Sequence, residues 1–86
     1  MLTKKEFINK IGFICRIYRQ QNLKLTLKDM SKIINVPIST ISGFENGKST
    51  NLGLLYQYIY ISDREQIKKL ATLLNYTFLE TSYQND

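Results

Sequence analysis

The chain has no histidine and no tryptophan, one cysteine, one proline and four glycines in 86 residues. Without histidine there is no imidazole general base, no Ser-His-Asp triad and no histidine-ligated metal. The lone Cys15 excludes an internal disulfide and a cysteine zinc cluster. A glycine-rich phosphate loop is missing as well, so an enzyme is not expected, and neither is a cofactor or a metal. No apolar run approaches the ~18 residues that a membrane span needs. Glu6, Asn9 and Lys10 interrupt the stretch that a signal peptide would fill. The expected compartment is therefore the cytoplasm, where a free thiol is ordinary. Cys15 reads as a small buried residue, with a redox switch as the other reading.

What the chain does have is positive charge, unevenly placed. Lysine and arginine number 12 against 7 acidic residues, for a net charge of +5 and a pI near 9.4. Residues 1–48 carry nine basic and three acidic side chains, net +6, and residues 49–86 carry three and four, net −1. A polyanion-binding face, if present, is built by the first half. The length suits one small domain with a modest core, over residues 1–78, and a polar, flexible tail at 79–86.

Apolar spacing reads as helix through most of the chain. Phe7, Ile11, Ile14 and Tyr18, with Ile8 and Cys15 beside them, mark a stripe over 4–20 behind a capping box of Thr3 and Glu6. Thr26 and Asp29 form a second box ahead of Leu27, Met30, Ile33 and Ile34. Asn35 suits the left-handed end of that short helix, and Val36-Pro37 breaks the chain. Ile38, Ile41 and Phe44 then repeat up to Gly47, so two short helices flank a tight turn, a helix-turn-helix outline at about 26–46. Residues 51–61 read two ways. Leu52, Leu55 and Ile59 fit a helix, while Leu54, Tyr56, Tyr58 and Tyr60 alternate as in a strand; with no partner strand elsewhere, helix is preferred. Ser62 and Glu65 predict a third capping box, opening a last helix at about 63–75 on Ile67, Leu70, Ala71 and Leu74.

The stretch Leu25–Lys48 resembles the phage-repressor-like (Cro/cI, XRE-type) helix-turn-helix family. Met30, Ile33, Ile41 and Phe44 match its apolar seats, Ser31 its small-residue seat and Asn35 the seat usually held by glycine. Ile41-Ser42 followed by Glu45-Asn46-Gly47-Lys48 matches its ending. The resemblance implies an all-α, small five-helix lambda-repressor-like DNA-binding domain. Beyond Lys48 the likeness loosens. Either 49–62 is an insertion, or Leu52–Tyr60 is the family's next helix and 63–75 an added fifth; the second is preferred.

The same resemblance implies a transcriptional regulator with its third helix in the major groove of double-stranded DNA, repressor-like and working as a homodimer. Ser39 and Thr40 would face bases, Ile38 a thymine methyl, and Gly43 lies on the same face. Lys24, Lys28 and Lys48 would meet phosphates, and Asn46 would do so through its amide or simply form the turn. The seat where the family usually has a phosphate-touching glutamine holds Leu27. No Arg, Gln or Asn stands among the outward seats 38, 39, 40 and 43, so bidentate base pairing is missing there. Glu45 is expected to pair with Arg19, allowing one extra residue before Leu25. Tyr56, Tyr58 and Tyr60 are candidates for an oligomer or partner surface. The alternative is a fold of this kind that binds another protein, such as a repressor, rather than DNA. Eleven Ile, nine Lys and seven Asn suit an A/T-rich coding source such as a low-GC bacterium or its phages.

Overall fold

The computed structural model describes residues 1–84. It holds five α-helices: α1 (Lys4–Tyr18), α2 (Leu27–Ile34), α3 (Ile38–Glu45), α4 (Leu52–Tyr60) and α5 (Arg64–Thr81). The ambiguous segment is thus helical, and no strand occurs among the described residues. Helices of eight residues such as α2 and α3 are marginal by themselves, so tertiary packing holds them. The shared core is Ile11, Ile14, Cys15 and Tyr18 from α1, Met30 from α2, Ile41 and Phe44 from α3, Leu54 and Tyr58 from α4, and Leu70 and Leu74 from α5.

Local chemistry fixes the ends. Thr3 with Glu6, and Thr26 with Asp29, close reciprocal capping boxes on α1 and α2. Asn35 ends α2 in the left-handed region at φ 56°, and Ser31 Oγ donates to the Val36 carbonyl at 2.6 Å, which shapes the turn into α3. The third box is shifted by one residue: Asp63, not Ser62, is the N-cap of α5, and Gln66 answers it in place of Glu65. Ser62 turns inward instead. Its hydroxyl donates to the Tyr58 carbonyl and accepts from the Tyr18 phenol, both at 2.5 Å.

The structure departs from the sequence reading at four other places. α1 does not run on to residue 20 as an α-helix; its last turn widens into a π-helical turn, Arg19–Leu23, closed by Lys24 in the left-handed conformation at φ 56°. Ile33 is 56% exposed rather than seated between the helices, and Ile34 packs on the core in its place. α4 buries Leu54 and Tyr58, one turn apart, and leaves Leu52 and Ile59 exposed. α5 continues past 75 to Thr81, so 79–81 are helix rather than tail. Its last turns clasp the start of the chain: Phe78 stacks on Phe7, Lys10 pairs with Glu80 at 2.8 Å, and the Leu2 amide donates to the Glu80 carbonyl. Residues 85 and 86 of the expected tail lie outside the described residues.

Gly12 sets how closely α1 approaches α3. A Cβ there would lie 2.3 Å from the Phe44 carbonyl oxygen and 2.8 Å from that of Glu45. Gly43 on α3 is the opposite case, with nothing within 4 Å of a Cβ. Gly12→Ala is expected to destabilise the fold by about 1–3 kcal/mol through overpacking. Gly43→Ala is expected to stabilise it by up to about 1 kcal/mol through helix propensity. Urea denaturation of the two variants beside the parent chain measures both.

Candidate nucleic-acid interface

The outward side of α3 and the ends of α2 and α3 carry the residues singled out from the sequence. Ile38 is 44% exposed, and Ser39, Thr40 and Asn46 are exposed as well. Gly43 lies among them with open space above it. α3 starts after Pro37 with no side-chain cap, so neither Ser39 nor Thr40 spends its hydroxyl on capping. The Asn46 amide donates to Ser42 Oγ at 3.2 Å, which leaves its carbonyl oxygen uncommitted. Gly47 turns the chain out of α3 at φ 76°, the left-handed region that glycine tolerates, and Lys48 follows exposed. Lys24, Lys28 and Lys48 have no ion-pair partner among the described residues.

Behind this surface lies a buried charged network. Arg19 and Glu45 are 4% and 5% exposed. The guanidinium meets the carboxylate with two bonds, Nε to Oε2 at 2.8 Å and Nη2 to Oε1 at 2.9 Å, and Nη1 donates to the Leu25 carbonyl at 2.8 Å. The expected Arg19–Glu45 pair is therefore present, and it is structural. Tyr58 completes it by donating its phenol to Glu45 Oε2. Burial, and then that hydrogen bond to a carboxylate, push the Tyr58 hydroxyl far above its ordinary pKa. Tyr58 is wholly buried and so is not part of an outer tyrosine surface. Tyr56 and Tyr60 do lie outside, stacked on each other with ring centroids 5.6 Å apart. The signal that separates them was present in the sequence: Tyr58 falls one turn after Leu54, while Tyr56 and Tyr60 share the opposite phase.

Cys15 is fully buried beside this network. Burial, then the nearby Glu45 charge, push its thiol up to about 12, so it is protonated and inert at neutral pH.

The chain matches the helix-turn-helix family model HTH_3 over residues 16–59. That span is half the chain, runs from the end of α1 through α3 and reaches into α4. The chain belongs to the XRE-type helix-turn-helix family. This helix-turn-helix family is one of DNA-binding regulators of the Cro/cI type. The match covers most of α4 and stops before α5. No curated protein and no solved structure matches the chain. No helix among the described residues is long and apolar enough to cross a membrane.

Three outcomes are expected of the buried network. Arg19→Ala strands the Glu45 carboxylate and is expected to cost about 3–5 kcal/mol. Arg19→Lys, whose single ammonium cannot reproduce the fork, also destabilises. Arg19→Met, Glu45→Met and Tyr58→Phe combined recover most of the loss, because no buried charge remains; denaturant titration reads all three. The thiol gives a pH dependence. Its ordinary pKa is 9.0 and its folded value about 12, so the folded state keeps a proton that the unfolded chain gives up. The contribution is fully present below pH 9 and is lost as pH rises toward 12. Melting temperatures measured across that range are expected to fall, and less steeply in Cys15→Ala.

Proposed function

We propose that the chain is a sequence-selective transcriptional regulator of repressor-like type that lays α3 in the major groove of double-stranded DNA. The observation that carries this reading is the uncommitted outward face of α3, flanked by unpaired Lys28 and Lys48, on a domain of the XRE-type family. In this docking Ser39 and Thr40 offer single hydrogen bonds to base edges, and Ile38 meets a thymine methyl. Gly43 lets the groove wall approach the helix backbone. Lys24, Lys28 and Lys48 hold phosphates, which supplies affinity and register rather than sequence choice. With so few base readers, the preference among sequences leans on the shape and deformability of the duplex.

Two chains on adjoining half-sites about one DNA turn apart compensate for weak readout in each. The stacked Tyr56 and Tyr60 offer the apolar, polar-tipped surface that such self-association uses. The Ile, Lys and Asn usage fits a phage or mobile element of an A/T-rich host. Bound over a promoter, the protein blocks polymerase.

Fluorescence anisotropy tests the reading, with a duplex from upstream of the chain's own gene beside a scrambled duplex, at two salt concentrations. Tight, salt-sensitive binding that prefers the upstream duplex is expected, and Lys28→Glu with Lys48→Glu is expected to abolish it. No binding to either duplex at low salt overturns the reading in favour of a protein partner.

A further inference from the structure

A cavity of about 500 Å³ opens where the first turns of α1, the loop after α3, the start of α4 and the end of α5 come together. Its walls are apolar: Phe7 and Ile11 from α1, Phe44 from α3, Leu52 and Leu55 from α4, and Phe78 from α5. A volume of this size is ordinary for a small-molecule site. Two of these side chains stay exposed, Leu52 at 75% and Phe78 at 53%. Phe78 is held there by its stack on Phe7, with ring centroids 6.5 Å apart. None of the residues singled out on the outward face of α3 lines this cavity.

Two polar side chains in the lining lack partners of their own. Ser49 Oγ is buried and makes no hydrogen bond among the described residues. A buried hydroxyl without a partner is costly, and native folds keep few of them. Lys4 also lines the cavity, and it has no ion-pair partner among the described residues. It is the first residue of α1, where the helix dipole disfavours a cation and favours an anion. The nearest acid along the chain, Glu6, is committed to the Thr3 amide at 2.9 Å. Asn51 spends its side-chain oxygen on the Leu54 amide at 3.1 Å. No aspartate or glutamate lines the cavity, so Lys4 is its one charged side chain among the described residues.

We propose that this cavity binds a small amphipathic acid, an aliphatic or aromatic body that carries one carboxylate. The body covers Leu52, Phe78 and the apolar walls behind them. The carboxylate pairs with Lys4 and accepts the hydroxyl of Ser49. The lining argues against other ligand classes. A sugar or a nucleotide would bury polar groups against these walls with too few partners, and an amine would meet Lys4 with like charge. The site stands apart from the DNA-binding reading above and does not depend on it.

The test titrates octanoate into the full isotope-labelled chain at neutral pH, followed by heteronuclear NMR, with 1-octanol and octylammonium as neutral and cationic counterparts. Circular dichroism and melting check the fold of each variant. Octanoate is expected to bind saturably, to shift the amides of Phe7, Ile11, Ser49 and Leu55, and to bind several-fold more tightly than either counterpart. Lys4→Gln is expected to weaken octanoate about three- to fivefold and to leave 1-octanol unchanged. Ser49→Ala is expected to weaken octanoate about tenfold, with a melting temperature no lower than that of the parent, because it removes an unpaired hydroxyl. Lys69→Gln, an equal loss of charge at an exposed position of α5, is expected to leave all three affinities unchanged. If octanoate and 1-octanol bind the parent alike, or if Lys4→Gln and Ser49→Ala both keep its affinity, the proposal is overturned. Shifts that do not saturate, or that fall on Tyr56, Tyr60 and Leu79 instead, mark general adhesion to exposed apolar surface and overturn it too. If the cavity amides shift with protein concentration and octanoate does not reverse this, a second copy of the chain is the occupant and the proposal falls. Each of these failures leaves the DNA-binding reading standing.

Discussion

The fold is organised around a bidentate ion pair that is almost wholly buried. Arg19 leaves the end of α1, Glu45 leaves the last turn of α3, and the two meet through parallel hydrogen bonds in the interior. Each remaining polar group is then matched: the third arm of the guanidinium takes the Leu25 carbonyl, and Tyr58 brings α4 to the carboxylate. Tyr18, Ser62 and the Tyr58 carbonyl extend the same path to the junction with α5. One polar network therefore ties α1, α3 and α4 to the loop before α2 and to the junction ahead of α5. A buried charge is costly alone, and this arrangement is tolerated because no member lacks a partner. Its contribution is to make one relative placement of α1 and α3 far better than its neighbours.

The π-helical turn is part of the same solution. π-helical geometry is rare and appears mostly as single turns within helices. Here the wider turn sends the chain back so that the Leu25 carbonyl faces the guanidinium of Arg19, while the carbonyl of Arg19 receives the amides of Lys24 and Leu25. One residue is thus gripped through its side chain and its backbone at once. The strained left-handed Lys24 is the local cost of closing that loop.

The helix-turn-helix unit was legible because its signals are local: Thr26 with Asp29, the left-handed Asn35, the break at Pro37 and the turn at Gly47 each act within a few residues. The Arg19–Glu45 pair was legible only through resemblance, since nothing in spacing joins residues 26 apart. What misled were positions where two neighbours compete for one seat. Ile33 and Ile34 both fit the stripe of α2, and Ser62 and Asp63 both fit an N-cap. Packing settled the first, and the pull of Tyr18 and the Tyr58 carbonyl on the Ser62 hydroxyl settled the second. The close approach at Gly12 leaves no periodic mark, because it depends on a carbonyl from another helix. At the outer surface, the sequence placed Ile38, Ser39, Thr40 and Asn46 on the outside, but it carried no sign of the cavity that Phe7, Phe44 and Leu55 share.

The open space above Gly43 has a consequence for how such a protein changes over generations. The network that holds α3 lies entirely on its inner side, at Ile41, Phe44 and Glu45. Residue 43 and its outward neighbours touch none of it. A side chain of almost any size can therefore arise at 43 without disturbing the scaffold, and nearly all are better helix formers than glycine. Mutational drift at this position is free to remodel the outer surface of α3 while the scaffold stays folded, so that surface can change faster than the fold beneath it.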